Sequence, residues 1–315
     1  MQQITEQFGI RRPKKKIHLS RVAFIISFTI IPIINFLVFY VYVNFSSILR
    51  AFQLTYNGKV TWTLSNFTLF FSEFSKSSSL IREAFVNTGK SFLINECLFL
   101  SGFFVSYFLY KKIFGYKVLR TLFFLPALVS GTIVSSFFIN IVSIDGPVAP
   151  LVQKMFGLDS IPMLIADSRY ANKTIFANMI WLGIPSNMLI WGGTFSRIPD
   201  SVLESGKLDG VGWLREAFSL IMPMVWPTFA LQFMLTIAGF FAASGSVFLL
   251  TQGELGTMTI SCWLYLQVYN NVGNVEASNT YNYMSAIGLL MTSVTLVIVL
   301  VTRKLTNMAF KDVDY

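Results

Sequence analysis

The stretch RIPDSVLESGKLDGVGWLREAFSLIMP, residues 197–223, is a charged, glycine-containing insert between two long apolar regions. Within it, Ser201 is placed to cap a helix and Glu204 follows three residues later, which is the spacing of a capping box. Asp209 followed by Gly210 is typical of a helix end, because glycine readily adopts the positive φ found there. The stretch therefore predicts a short capped helix between two apolar spans.

One face of this short helix is predicted to be apolar and flat. Val202, Leu203 and Gly206 fall on the same side of a helical wheel, and Gly206 leaves room there for another backbone to approach. Such a helix would suit docking by a partner protein. A well-capped loop without any partner is the alternative, and the residues alone leave both open.

The flanking regions have the composition of a membrane protein. Of 315 residues, 54% are hydrophobic and 12% are charged, whereas soluble domains carry about a quarter charged residues. Apolar stretches long enough to cross a bilayer occur six times. They run approximately over residues 22–45, 88–110, 121–143, 174–196, 221–250 and 279–302. Only the second contains charged residues, Lys90 near its start and Glu96 further along. The sequence predicts an all-α polytopic membrane protein with six transmembrane helices and a short helix between spans four and five.

The basic residues predict the orientation of these spans, because Lys and Arg are enriched on cytoplasmic flanks. An Arg- and Lys-rich tail precedes the first span, which we interpret as an uncleaved anchor, and no Lys or Arg occurs between Arg215 and Arg303. We expect a cytoplasmic tail over 1–21, a transmembrane domain over 22–303 and a cytoplasmic tail over 304–315. The net charge of +9 lies largely beside membrane edges, so no nucleic-acid partner is expected.

Catalytic signatures are weak. His18 is the only histidine, so a histidine-centred triad or metal site within the membrane is excluded. Gly89, Lys90 and Ser91 resemble part of a phosphate loop, but Ala84 stands where the pattern needs glycine. Glu96 is either a functional intramembrane carboxylate or a side chain paired with a neighbouring helix. The chain thus shows no energy-supplying site of its own. If it moves a solute uphill, we expect the energy to come from another subunit.

The insert resembles the EAA loop of permease subunits from binding-protein-dependent ABC importers. Glu204, Gly210 and Pro223 occupy the first, seventh and twentieth places of that pattern, and Asp209 precedes the glycine as in the family. The chain departs from the pattern at three positions, where alanine is usual: Ser205, Gly206 and Val211. The likeness extends from about residue 20 to 310 and is closest to the carbohydrate-importing branch.

The resemblance implies a non-catalytic, multi-pass subunit in the bacterial cell membrane, with both termini in the cytoplasm. Its implied partners are a second homologous permease, a cytoplasmic ATPase dimer, an extracytoplasmic solute-binding protein, a sugar or oligosaccharide and the lipid bilayer. No cofactor is expected in this chain, because ATP would be bound by the partner subunits. The residues implied in coupling to the ATPase are Glu204, Ser205, Gly206, Asp209 and Gly210. Force would enter span five through Pro223 and Pro227, where backbone hydrogen bonds are missing.

Candidates for the substrate path are residues that offer aromatic faces or polar groups within the spans, because sugar rings have apolar faces and hydroxyl rims. They are Trp181, Asn187, Gln232, Phe240 and Glu96. Two alternatives stay open at this point. One is an ABC permease for a non-sugar solute, and the other is a membrane sensor or docking protein that transports nothing.

Overall fold

The computed structural model of the chain describes residues 19–56, 58–76, 78–242, 245–272 and 278–309. Most of the expected tail 1–21, including His18, and residues 310–315 of the expected tail 304–315 lie outside the described residues. The chain divides into two compact units, one up to Arg50 and one from Ala51 onward.

The described part of the first unit is a long apolar helix. α1 covers Leu19–Asn35 and continues through a π-helical stretch, Phe36–Tyr42, into α2, Val43–Ala51. The expected span ended at residue 45, but the helix continues past it. Polar side chains are accommodated there because they bond to carbonyls of the preceding turn, as Asn44 does to Tyr40 at 2.6 Å and Ser47 to Val43 at 2.9 Å.

The polar segment before the second span is folded. Strand β1, Gln53–Tyr56, pairs antiparallel with β2, Lys59–Trp62, and α3 follows over Ser65–Ser75. Asn66 is buried, and its amide donates to the carbonyls of Ala51 and Gln53 at 3.0 Å each. This side chain therefore ties α3 to the start of the hairpin.

Two long helices, α4 over Leu80–Tyr110 and α8 over Ser168–Phe195, form the most extensive helix pair described. Both begin about one and a half to two turns before the expected spans, because capping residues lie upstream of the apolar stretches. Ser79 accepts from the Ile81 amide at 3.2 Å, and Asp167 accepts from the Arg169 amide at 2.9 Å.

Two glycines allow α4 and α8 to approach closely. A Cβ atom on Gly102 would lie 2.5 Å from the Cβ of Asn187, and one on Gly183 would lie 2.6 Å from a methyl group of Leu98. A larger residue at Gly102 would force the helices apart, whereas at Gly183 the end of the Leu98 side chain can move aside.

The expected third span is broken. α5, Tyr116–Leu128, and α6, Gly131–Val142, meet at an angle of 107°. Val129 between them has extended backbone, with φ −97° and ψ 147°. Pro126 lacks an amide hydrogen, which weakens the last turn of α5, so the continuous helix expected over 121–143 is wrong. A short amphipathic helix, α7, follows over Val148–Phe156.

The fifth span also differs from the expectation of 221–250. The short helix α9 covers Asp200–Leu208, and the membrane helix α10 covers Trp213–Ala238 with a π-helical stretch over Glu216–Ile221. Gly239 closes α10, and a 3-10 turn, Phe240–Ala242, and α11, Gly245–Leu250, follow. Because α10 starts eight residues earlier than expected, it contains Arg215 and Glu216, so the second span is not the only one with charged residues.

The remaining helices are α12, Ile260–Tyr269, and α13, Ser278–Ala309. Among the described residues, five helices are long and apolar enough to cross a membrane, and the bent pair α5–α6 makes a sixth span if it counts as one. The architecture is therefore the predicted all-α polytopic one, with a small hairpin added.

Candidate functional site

The short helix α9 is present, although its first turn is not built as predicted. Pro199 occupies the N-cap position and no side chain caps the helix there. The capping box expected from Ser201 and Glu204 is therefore wrong, because the helix begins one residue before Ser201. Asp200 lies in the first turn, where its negative charge complements the helix dipole.

The end of α9 matches the prediction. Gly210 has a φ of +66°, its amide donates to the Lys207 carbonyl at 3.2 Å, and the Val211 amide donates to the Gly206 carbonyl at 3.0 Å. These two bonds form a Schellman motif, in which the left-handed position is normally a glycine. The predicted helix end at Asp209–Gly210 is confirmed.

The apolar face of α9 is occupied by the chain itself. Leu203 and Gly206 are buried, and a Cβ on Gly206 would lie 3.0 Å from a methyl group of Leu220 on α10. We had expected this flat face to be open to the backbone of another protein. The contact with Leu220 shows that it is covered by α10. The other four coupling candidates lie on the exposed side: Glu204, Ser205, Asp209 and Gly210. Leu208 projects beside them with 89% of its surface exposed.

A buried polar network ties the start of α10 to the last turn of α4. The Glu216 side chain is 1% exposed; the Tyr107 hydroxyl donates to its Oε1 at 2.9 Å, and the Lys111 ammonium donates to its Oε2 at 3.0 Å. Burial lowers the pKa of Lys111, but the hydrogen bonds to Glu216 and Tyr107 outweigh burial and raise it above its ordinary value. The network therefore favours the charged form of Lys111.

The same turn of α4 also contacts the backbone on both sides of α9. The Tyr110 hydroxyl donates to the Ile198 carbonyl at 3.0 Å, ahead of α9, and the Tyr107 hydroxyl lies 3.2 Å from the Trp213 carbonyl, after it. An apolar cluster surrounds these contacts. It consists of Phe99, Phe103, Tyr107, Trp191, Phe195, Ile198, Leu203, Ala217, Ile221, Met222 and Val225.

At the other end of α4, residues 251–259 form a tightly turned loop between α11 and α12. Positive φ values occur at Gln252 (53°), Gly253 (82°), Leu255 (58°) and Gly256 (76°). This backbone region is unfavourable for residues with a Cβ, so the two non-glycine positions are strained. Such a conformation persists only where neighbouring groups hold it.

Side chains of α4 and α8 hold this loop. The Asn87 amide donates to the carbonyls of Gly256 at 2.9 Å and Met258 at 3.1 Å, and Asn172 donates to the same Gly256 carbonyl at 2.9 Å. The Thr88 hydroxyl accepts from the Ile260 amide at 2.9 Å. The loop is therefore fixed to the start of α4 by two consecutive residues.

A cavity of about 270 Å³ with a mixed polar and apolar lining lies between α4, α8 and α11. Its lining contains hydroxyl and amide groups and no charged side chain; the residues are Ser91, Asn95, Met179, Leu182, Gly183, Ser186, Ala242, Gly245, Ser246 and Val247. These groups can donate and accept hydrogen bonds to neutral hydroxyls. No cluster of His, Cys, Asp and Glu suited to a metal occurs among the described residues.

None of the five substrate-path candidates is among the residues that line this cavity. Trp181 packs against Phe138, with ring centroids 5.7 Å apart, and Asn187 donates to the Gly183 carbonyl at 2.9 Å within α8. Phe240 packs against Phe92 at 4.5 Å, and Phe92 directly follows the cavity residue Ser91 on α4. These packing contacts account for the positions of the two aromatic candidates.

Glu96 lies on α4 and Gln232 lies on α10, and both side chains are partly buried. The carboxylate oxygens of Glu96 are shielded from solvent, and Thr236 of α10 is the polar group that faces them. Among the described residues, neither carboxylate oxygen of Glu96 has a hydrogen-bond partner of good geometry, Thr236 included.

The sequence analysis did not predict two features. One is the hydrogen-bond network around Glu216, and the other is the pair of hydrogen bonds by which Asn87 holds the loop 251–259. A signal for Glu216 was present, because a charged residue a few positions before a long apolar stretch can belong to the same helix. Asn87 gave no local signal, since its partners, Gly256 and Met258, lie 169 and 171 residues away.

Relatives support the resemblance seen in the insert. The chain is 25% identical to the multiple sugar-binding transport system permease protein MsmF of Streptococcus mutans, over 84% of this chain and 89% of the relative. It is 24% identical to the arabinooligosaccharides transport system permease protein AraP of Bacillus subtilis, over 89% and 87% of the two chains. A scan of protein-family models gave no match.

Solved structures support the same fold. The chain is similar to a subunit of a bacterial ABC transporter that imports the acidic polysaccharide alginate, with a TM-score of 0.71, 19% identity, and coverage of 92% of this chain and 97% of that one. A second structure of a bacterial alginate ABC transporter, in complex with a periplasmic protein that carries an alginate pentasaccharide, matches with a TM-score of 0.69 at 18% identity over 92% and 96%. The predicted resemblance to importer permeases is confirmed over nearly the whole chain.

Proposed function

We propose that this chain is the transmembrane permease subunit of an ATP-driven, binding-protein-dependent sugar importer in the bacterial inner membrane. The observation that carries the proposal is the fold match over 92% of the chain to an ABC importer subunit, together with relatives whose names describe sugar transport permeases. The short helix α9, between the fourth and fifth membrane helices, is the proposed point of contact with the ATPase.

The proposed orientation places α9 and both termini in the cytoplasm. The distribution of Lys and Arg supports this, because basic residues concentrate at the cytoplasmic ends of membrane helices. The loop 251–259 then faces outward, where a solute-binding protein would deliver the sugar. A second permease subunit completes the pathway, and an ATPase dimer lies beneath it.

Coupling to the ATPase is proposed to occur through the exposed side of α9. Glu204, Ser205, Asp209 and Gly210 are exposed there, and Leu208 adds an apolar side chain suited to a pocket of the ATPase. Gly206 has a different role, since it allows α9 to rest against Leu220 of α10. Movement of the ATPase would thus be passed directly to α10, where the missing amide hydrogens of Pro223 and Pro227 ease bending.

The proposed sugar path runs along the uncharged cavity between α4, α8 and α11. Its hydroxyl and amide groups suit a sugar or oligosaccharide, and the partly buried Phe240 beside it can offer an aromatic face. This chain has no proposed catalytic residue, because ATP would be hydrolysed by the partner subunits.

Purification from the native host tests the proposal. A tagged chain should retain an ATPase and a second permease, and ATP hydrolysis by the complex in lipid should rise when sugar-loaded binding protein is added. Isolation of the chain without any ATPase would contradict the importer assignment. Stimulation by a binding protein loaded only with a non-sugar solute would contradict the substrate class alone.

A matched pair of variants tests the docking surface. Glu204→Ala should reduce ATPase retention and uptake, because it removes an exposed carboxylate from the proposed interface. Ser201→Ala, on an exposed position of the same helix, should leave both unchanged. Equal behaviour of the two variants would show that Glu204 does not contribute to docking.

A further inference from the structure

The last turn of α4 contacts the coupling segment in a way that docking alone does not require. Tyr107, Tyr110 and Lys111 lie on one face of α4, because residues three and four apart are neighbours on a helix. Tyr110 bonds to the Ile198 carbonyl before α9, whereas Tyr107 and Lys111 bond to Glu216 after it. One helical turn therefore holds both ends of the segment that carries α9.

The charged part of this contact joins a buried Glu216 carboxylate to a partly buried Lys111 ammonium, and such a pair adds little net stability. Removing an ammonium and a carboxylate from water costs about as much as their attraction returns, so apolar residues of similar volume are often as stabilising. In some proteins a pair of this kind instead fixes the register between two elements, and we infer that role here. Here the two elements are the end of α4 and the start of α10.

The far end of α4 is joined to the loop 251–259 by side chains that are also buried. Asn87 holds the Gly256 and Met258 carbonyls, and Thr88 holds the Ile260 amide. α4 has 31 residues, which corresponds to about 46 Å at 1.5 Å per residue. A single helix thus contacts the coupling segment at its C-terminal end and the strained loop 251–259 near its N-terminal end.

We propose that α4 is a connecting rod, with Glu216, Lys111 and Tyr107 as the latch by which movement of α9 reaches the loop 251–259. Glu216 is then a positioning residue for coupling, and span two transmits movement in parallel with the proline-containing span five. This inference rests on the proposed function, because the movement of α9 would come from the ATPase.

The test uses the complete importer in lipid, with its ATPase and binding protein. The main variant is the double substitution Lys111→Met with Glu216→Gln, which removes both charges together and leaves no unpaired buried ion. Tyr107→Phe removes only the hydroxyl. Lys112→Met is the matched control, because Lys112 is exposed and enters no ion pair among the described residues. Lys111→Arg keeps a cation that can still reach Glu216.

Two readouts separate coupling from folding. The first is the amount of sugar transported for each ATP hydrolysed, and the second is hydrogen exchange of amides in residues 251–260 with and without trapped nucleotide. In the double variant the transport ratio should fall by roughly tenfold or more, the effect of losing a hydrogen bond to a charged group. The nucleotide-dependent change in exchange should also disappear. Lys112→Met and Lys111→Arg should behave as the unsubstituted protein does.

The outcomes distinguish the inference from the proposed function. Absence of binding-protein-stimulated ATP hydrolysis in the unsubstituted complex overturns the proposed function, and the connecting rod with it. Normal stimulation, together with an unchanged transport ratio and unchanged exchange in the double variant, overturns the connecting rod alone. Loss of complex yield in the double variant, with a normal ratio and a normal exchange response in Tyr107→Phe, also overturns it.

Discussion

Substitution of Gly210 should damage the coupling segment according to backbone conformation and not according to side-chain size. The residue has a φ of +66°, and a Cβ added there would meet nothing within 4 Å. The cost of a side chain is therefore the cost of the left-handed conformation itself, roughly 1–2 kcal/mol for an ordinary L-residue. Asn tolerates this conformation and Val does not, so we expect Gly210→Asn to be mild, Gly210→Ala intermediate and Gly210→Val severe.

Hydrogen exchange measures this cost directly. The Val211 amide bonds to the Gly206 carbonyl at 3.0 Å only while the turn is closed. A loss of about 1–2 kcal/mol raises the open population about 5–30-fold, so exchange at Val211 in Gly210→Ala should accelerate by that factor. Uptake should fall in the same order across the series, and membrane insertion should be unaffected.

The control for this series is Gly212→Ala. Gly212 has a φ of −65°, and a Cβ there would also meet nothing within 4 Å. That variant should change neither exchange nor uptake. Equal damage from Gly210→Asn and Gly210→Val, or from Gly212→Ala, would refute the argument that the left-handed position governs this turn.

Two further predictions concern α4. Gly102→Ala places a Cβ 2.5 Å from that of Asn187, so it should destabilise the purified protein by about 1–3 kcal/mol through overpacking. Gly89→Ala on the same helix meets nothing within 4 Å and should leave the melting temperature unchanged or raise it; a lower value for Gly89→Ala than for Gly102→Ala would contradict the close packing described. Asn87→Ala removes both hydrogen bonds to the Gly256 and Met258 carbonyls and should open the loop by roughly 1–3 kcal/mol, seen as faster hydrogen exchange over 251–260. Asn172→Ala removes one such bond and should have a smaller effect, and the reverse order would show that Asn87 is not the principal clamp.

Features that depend on neighbouring residues were predictable from the sequence. The helix α9 and its end at Gly210 follow from turn chemistry within a few positions, and the all-α membrane-spanning architecture follows from long apolar stretches. Span boundaries were less predictable, because a hydropathy window does not detect the break at Val129 or the helix end at Gly239. Both lie within continuous apolar sequence, where backbone geometry decides the outcome.

Features that depend on distant residues were not predictable from a single sequence. Lys111 and Glu216 are 105 positions apart, and Asn87 is 169 positions from Gly256. Their meeting depends on how α4 packs against the rest of the chain, which no local pattern encodes. The exposed positions of four proposed coupling residues follow from the short helix and turn in which they lie. The groups that hold this segment in place are visible only in the tertiary structure.

The 107° bend between α5 and α6 places a strong demand on its surroundings. The final carbonyl groups of α5 have no partners within their own helix, and Leu128 is 81% exposed. Hydrocarbon offers nothing to which a carbonyl can bond, so irregular backbone at membrane depth is tolerated only against protein or water. If the bend lies at that depth, acyl chains cannot be its neighbours, and this side of the molecule must border either another polypeptide or an aqueous passage.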